Sequence, residues 1–433
     1  MLNENDEKLI LKLPFGFRDI FPTEAKERKN IEEVIREEFE SWGYGEVKTP
    51  IVEFTENISS GVGKNWKEKL ISFFDIDGSL ISFRADMTIP IARLIGMRIK
   101  PNQLPARFYY IANSFRQSPI QKGQKRVLNQ AGLELIGIDE MIADIEVLTL
   151  LVRILKKLDI KDFKIALSHS RFLDGISQWF ELDNKGLDFI RKKMVEKNLV
   201  EIKNFLDKRD LEKTKIFLEI IEPSENFNKL TYFSEIIKNK LVYRSFKYLI
   251  DTYKVLKSLN ISDNFIIDLS AASGFEYYSG LYFEAYCPKV SEIIGSGGRY
   301  NGLIKKFGLD VAGTGFAVDV DLLHKSVGNV DFIFKNKYKK VALVGNKNEA
   351  ENLIILAQKL REKKLIVEIF PFQIDNANKS DFLVKSSNIY KHKISAEGFD
   401  FLYIADFTNQ KIEVINLSDN ENENKEVISF NYL

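Results

Sequence analysis

Only one cysteine, Cys287, stands in 433 residues, so no internal disulfide forms and nothing requires an oxidising compartment. Histidine is nearly as scarce. His169, His324 and His392 are the full set, and no two share the spacing of metal ligands, which argues against a zinc or haem site. An excess of one charge is also missing: 63 Lys+Arg oppose 62 Asp+Glu, for a net charge of +1. A chain that clamps a long nucleic acid by electrostatics normally shows a basic surplus, so only a local patch is left for that role. Long hydrophobic runs are lacking. The densest, Ile142 to Leu158, is broken by Asp144, Glu146, Arg153, Lys156 and Lys157. The start, Met1 to Asp6, is polar and acidic, unlike a targeting peptide. Neither an internal repeat nor a phosphate-binding glycine motif of the P-loop or dinucleotide kind occurs. The expectation is a cytoplasmic protein with no metal, no cofactor and no membrane contact.

What is present describes folded domains. Apolar residues make up 45% of the chain and aromatic residues 12%, which excludes wholesale disorder, and the length suits two to three domains. Ile31, Val34, Ile35, Phe39 and Trp42 recur at helical steps, with Thr23 as the expected N-cap and Gly43 as the stop. From Ile71 to Gly137 the alternation changes to period two, the texture of strands. Ile142 to Leu158 is apolar nearly all round and reads as a buried helix. Residues 172–260 turn rich in Lys, Glu, Leu and Ile at helical spacing, a helical insertion into a first domain of residues 1–324. Residues 325–340 read as a linker. Residues 341–433 have strand–helix–strand order, a small α/β domain.

Alternate side chains of a strand share a face, so period-two polar residues locate candidate pockets. Ser82, Arg84, Asp86 and Thr88 fall together on one such strip, and Gln130, Gly132 and Glu134 on another. Gly132 is expected to leave room for a ligand. The strand from Tyr109 to Phe115 runs out at Arg116, and Glu276, Tyr277 and Tyr278 add a third strip. Together these suit a small zwitterion: carboxylate and amide oxygens for an ammonium, arginine for a carboxylate, tyrosine and glutamate for a polar ring. The same alternation also describes the wet face of an ordinary antiparallel sheet, and spacing alone leaves both readings open. Cys287, His169 and His324 carry bland, structural readings. Arg299, beside Gly297-Gly298, stays open between a ligand carboxylate and a subunit contact.

Several separate motifs, in order, resemble the histidyl-tRNA synthetases and their relatives. They are Pro14-Phe15-Gly16-Phe17-Arg18-Asp19, Phe83-Arg84-Ala85-Asp86-Met87-Thr88, Phe115-Arg116 with Gln130-Ala131-Gly132-Leu133-Glu134, Glu276-Tyr277-Tyr278-Ser279-Gly280, and Gly297-Gly298-Arg299-Tyr300. The resemblance runs from Leu13 to about Leu323, and the C-terminal segment is similar to a diverged anticodon-binding domain. It implies an α+β fold of the class II aminoacyl-tRNA synthetase type: an antiparallel sheet flanked by helices, with a helical insertion. It also implies a histidine pocket in which Asp86, Thr88 and Gln130 hold the amino group. Asp86 stands there in place of the usual glutamate. Glu134 with Tyr277 or Tyr278 would read the imidazole, and Arg116 would face the carboxylate.

The departures from that pattern concern adenylation. Ser118 stands where the synthetases read ATP with a glutamate, and Gln124 and Ser273 replace arginines that act on the phosphates. Leu322 replaces the last arginine, and Asp319 and Asp321 beside it are expected to repel a triphosphate. Losing one preorganised donor of this kind costs on the order of 10²–10³ in rate, so adenylation is expected to be absent. A histidine sensor without that chemistry resembles the regulatory subunits of ATP phosphoribosyltransferase. That resemblance implies L-histidine as ligand, a short-form catalytic subunit as partner, and homodimers within a hetero-octamer. A divergent synthetase rescued by Arg299, Lys122, Lys125 or Arg126 is the alternative. Another is an RNA-binding paralogue using Arg361-Glu362-Lys363-Lys364 and Lys391-His392-Lys393, clusters that an ordinary solvated surface explains equally.

Overall fold

The computed structural model describes residues 12–62, 68–117, 125–271, 277–327, 338–372, 399–417 and 425–429. Ser118, Lys122, Gln124, Ser273, Glu276, most of the expected linker, the cluster around His392 and most of the loop after Leu417 lie outside them. The chain divides into two compact units, Met1–Ile333 and Phe334–Leu433.

Helix α1 (Pro22–Ser41) begins on Pro22, whose fixed φ and missing N–H suit a first helical position. The N-cap is therefore Phe21, which offers no side-chain cap, and not Thr23. Ile31, Ile35 and Phe39 are fully buried along its inner stripe. The helix stops before Gly43, which takes a left-handed φ of +80°.

The stripe packs on a central eight-stranded sheet. Its strands are β1 (Gly45–Glu46), β5 (Ala106–Phe115), β6 (Val127–Ile136), β7 (Lys164–His169), β8 (Phe265–Ile267), β9 (Leu281–Tyr286), β10 (Gly295–Arg299) and β11 (Gly313–Asp319). Their order is β1-β5-β6-β11-β10-β9-β7-β8. Pairing is antiparallel through the middle, but β1 runs parallel to β5 and β8 parallel to β7, so the sheet is mixed rather than purely antiparallel. The cause is connectivity. Parallel neighbours need a long crossover, and the one between β7 and β8 is the whole helical insertion.

That insertion comprises α5 (Arg171–Trp179), α6 (Asn184–Val195), α7 (Leu199–Asp207), α8 (Leu211–Ile221), α9 (Lys229–Ile237) and α10 (Lys240–Ser258). Asp183, Asn198, Asp210 and Asn239 accept first-turn N–H groups and set four of the starts. Phe172, Phe217 and Phe246 form its fully buried aromatic centre. Helix α4 (Met141–Lys157) is buried along most of its length, including Asp144.

The stretch from Ile71 to Gly137 is not strand throughout. Strands β2 (Val52–Phe54), β3 (Ser72–Phe74) and β4 (Leu80–Phe83) form a separate small sheet, and a helix, α3 (Thr88–Arg98), follows. Residues 84–87 are the turn between them, so Ser82, Arg84, Asp86 and Thr88 share no strand face. Arg84 points away, donating to the Thr49, Pro50 and Asn113 carbonyl oxygens. Period two failed here because a turn and a first helical residue mimic alternation over so short a run.

The C-terminal unit is a five-stranded sheet in the order β13-β12-β14-β15-β16. Its strands are β12 (Lys340–Asn346), β13 (Ile366–Phe372), β14 (Phe401–Asp406), β15 (Lys411–Asn416) and β16 (Lys425–Ser429). Helix α12 (Ala350–Glu362) buries Leu353, Leu356, Ala357 and Leu360 in that unit's core. No described helix is long and apolar enough to cross a membrane.

Candidate functional site

One face of β6 and its neighbours opens on a cavity of about 470 Å³. Asp86, Thr88, Arg116, Gln130, Glu134, Tyr277 and Tyr278 all line it, and Tyr110 and Tyr300 complete the wall. Four different local structures deliver them. Asp86 and Thr88 come from the β4–α3 junction, Arg116 from just past the end of β5, Gln130 and Glu134 from one face of β6, and the two tyrosines from a turn before β9.

Asp86 sits just ahead of α3, where its Oδ1 accepts the Ile89 N–H at 3.3 Å, a position the helix dipole favours for an anion. Oδ2 accepts the Tyr277 hydroxyl at 3.3 Å. Burial nevertheless dominates and pushes the carboxyl up to about 6, against the pull of the Arg116 guanidinium and these two hydrogen bonds. Arg116 is oriented by donating Nε–H to the Ala85 carbonyl at 2.9 Å.

Glu134 is held by the Tyr300 hydroxyl and by a hydrogen bond with Thr88. Burial raises it to about 8, with a further push from Asp86, so in the empty cavity it is largely protonated at neutral pH. Gly315, paired opposite Glu134 on β11, makes room for it: a methyl there would come within 2.2 Å of Oε2. The Gln130 side-chain oxygen is buried with no hydrogen-bond partner among the described residues. A buried unpaired carboxamide oxygen is costly, and a donor carried by a ligand removes that cost.

Gly132 has a different role from the expected one. A Cβ at this position would lie 2.4 Å from the Tyr110 hydroxyl oxygen and 2.4 Å from the Phe316 carbonyl oxygen, so the space it leaves is filled by the protein's own tyrosine. Tyr110 and Tyr300 were missed in the sequence. The Tyr109-Tyr110 pair sends one ring to each face: Tyr109 bonds Arg36 and Glu40 on the α1 side, and Tyr110 faces the cavity. The signal for Tyr110 was Gly132, its direct cross-strand partner.

Arg299 is not in this cavity, and it is neither a free ligand-binding group nor an open contact. Its guanidinium is tied to Asp144 at 3.0 Å and to the Ile138 and Glu140 carbonyl oxygens at 3.0 and 3.2 Å, an internal strut between β10 and the start of α4. Bland readings fit Cys287 and His324. Cys287 is buried, and His324 pairs with Glu27 at 2.7 Å.

At the far end of the cavity Leu322 lines the wall beside Asp319, Lys125 and Lys325. The two carboxylates expected to repel phosphate also have partners inside the protein. Asp319 caps helix α11 (Val320–Ser326), accepting the Asp321 and Leu322 N–H groups at 2.8 and 3.1 Å. Asp321 is neutralised by Lys125 at 2.6 Å and Arg28 at 2.7 Å. Arg126 lies over the Phe15 ring at 5.6 Å. Among the described residues here, Lys125 and Arg28 are thereby engaged inside the protein, while Lys325 is exposed on the wall. Among the described residues no group of three or more His, Cys, Asp or Glu has a metal-binding arrangement.

Residues 16–323 match the family model described as Histidyl-tRNA synthetase. A histidyl-tRNA synthetase from Nostoc sp. PCC 7120 superposes with a TM-score of 0.75 over 97% of each chain at 20% identity, a likeness of fold. Fold and cavity together define a protein of the histidyl-tRNA synthetase class. Among curated relatives, the ATP phosphoribosyltransferase regulatory subunit of Clostridium botulinum (strain Langeland) is 29% identical over 97% of this chain and 99% of that one. That of Caldanaerobacter subterraneus subsp. tengcongensis is 30% identical, covering 84% and 95%. A solved structure from Bacillus halodurans, described as an ATP phosphoribosyltransferase regulatory subunit/histidyl-tRNA synthetase, matches with a TM-score of 0.74 at 28% identity, over 88% of this chain and 96% of that one. The chain belongs to the family of ATP phosphoribosyltransferase regulatory subunits, built on the histidyl-tRNA synthetase fold.

Proposed function

We propose that this chain is a noncatalytic regulatory subunit of ATP phosphoribosyltransferase that binds free L-histidine in the 470 Å³ cavity. It reports that occupancy to a separate, short-form catalytic subunit and acts as a homodimer within a hetero-octamer. In the bound state the ligand ammonium lies among Asp86, Thr88 and the unpaired oxygen of Gln130. Arg116 faces the carboxylate, and Glu134 with the tyrosines faces the imidazole. Histidine needs only to bind the active and inhibited assemblies unequally to shift their balance.

The observation that carries the noncatalytic part is the charge balance at the cavity's far end. Leu322 lines the wall there, and Lys125 and Arg28 are spent on Asp321. Adenylation concentrates negative charge on phosphate and needs free, preorganised cations. Of the four cations named for a synthetase rescue, Lys125 is paired, Arg126 lies over the Phe15 ring and Arg299 is buried against Asp144, while Lys122 lies outside the described residues. The purified chain is expected to show no histidine-dependent exchange between ATP and pyrophosphate. Exchange at a rate typical of a synthetase would restore the enzymatic reading.

A further inference from the structure

A second cavity of about 220 Å³ lies where the helical insertion meets the central sheet. Helix α10 supplies Arg244, Ser245 and Tyr248 to its wall. The end of β7 and the start of α5 supply His169 and Arg171, and Arg299 lies beneath. It shares no lining residue with the histidine cavity.

Its electrostatics are one-sided. The Arg299 charge is cancelled by Asp144, which also accepts the Tyr248 hydroxyl. Asp139, at the rim, accepts the Asn301 amide at 2.6 Å and lies 3.4 Å from the Arg299 guanidinium, so it shares that arginine with Asp144. Arg171 and Arg244 are exposed, and neither guanidinium has a hydrogen bond or ion pair among the described residues. Arg171, Arg244 and Arg299 thus stand against Asp139 and Asp144, which leaves the cavity a surplus of one positive charge. His169 adds a donor. Its Nδ1 accepts the Arg171 N–H at 3.3 Å and lies 3.2 Å from the Ser245 hydroxyl. Burial, helped by Arg171, holds the ring down to about 4, so it is neutral. A neutral ring whose Nδ1 accepts carries its proton on Nε2, and that N–H has no partner among the described residues.

We infer that this cavity is a binding site for a small phosphate dianion, a phosphomonoester or free phosphate, clamped by Arg171 and Arg244 with His169 as a third donor. Planar guanidinium groups match phosphate oxygens two at a time, and the surplus positive charge favours an anion. The bound group joins α10 and α5 of the insertion to the ends of β7 and β9, so its presence tightens the insertion on the sheet.

Calorimetric titration of the full chain with inorganic phosphate at neutral pH tests this, with succinate and a short RNA duplex as comparators. Saturable one-site binding is expected, weakened about tenfold or more in each of Arg171→Ala and Arg244→Ala and unchanged in Asp86→Asn. Both arginines are exposed and unpaired, so the variants are expected to melt like the parent without phosphate. If either does not, Arg171→Lys and Arg244→Lys replace them, with a smaller loss expected. No saturable phosphate binding, binding indifferent to both substitutions, or tighter binding of succinate overturns the assignment. RNA binding that depends on these arginines while phosphate fails to bind overturns it in favour of a polynucleotide backbone.

Discussion

If the cavity binds histidine as proposed, the ionisation of Asp86 and Glu134 governs what it accepts. A ligand ammonium needs an ionised Asp86, and that carboxyl titrates near about 6 in the empty cavity. The bound cation lowers it, so histidine affinity is expected to fall as pH drops below about 6. Calorimetry from pH 5 to 7.5 measures the fall, and Asp86→Asn flattens the part due to this group. At pH 7 the same substitution removes a charged hydrogen-bond acceptor and is expected to weaken histidine roughly 10–100-fold, about 1.5–3 kcal/mol. Glu134 affects stability as well. Its folded-state value of about 8 lies above its ordinary 4.5, so its favourable contribution is complete below 4.5 and is lost as pH rises through about 8. Chemical denaturation of the ligand-free protein is expected to show stability declining across that window, with a shallower slope in Glu134→Gln. An identical pH profile in the variant would place the titration elsewhere.

At the scale of elements, the cavity depends on three strands approaching closely enough for side chains to fill what glycines leave open. Gly132 is the clearest case. Gly132→Ala drives a methyl into the Tyr110 hydroxyl and the Phe316 carbonyl, and one of them is backbone and cannot step aside. The expected loss is about 1–3 kcal/mol of stability, read from denaturant midpoints, with reduced histidine affinity because Tyr110 is displaced into the cavity. These elements differed in how well the sequence described them. Alternation placed Gln130 and Glu134 correctly, because β6 is a long strand with one polar face. The same rule put Arg84 beside Asp86 wrongly, because β4 ends at Phe83 and a turn follows. That Asp86 and Thr88 still meet Gln130 came from the resemblance to a known pocket, not from their spacing. Tyr300 and the pairing of Asp321 with Arg28 and Lys125 were not legible, since they join residues far apart in the chain. The start of α1 was misplaced for a local reason: Pro22 ordered the first turn without a side-chain cap.

For the whole molecule, the near-equality of 63 positive and 62 negative residues has a structural counterpart. Arg28 and Lys125 are paired with Asp321, Arg299 with Asp144, and Arg126 lies over an aromatic ring. In the proposed reading this synthetase fold keeps a cavity that takes a zwitterion and serves as a sensor. The most direct measurement is histidine inhibition of the assembled complex, with a short-form catalytic subunit joined to this chain or to its Asp86→Asn variant. The catalytic subunit is expected to be weakly active alone, active with either form of this chain, and inhibited by histidine at a midpoint about tenfold or more higher with the variant. A catalytic subunit fully active and histidine-sensitive by itself, or the same midpoint with both forms, would contradict a regulatory histidine site in this cavity.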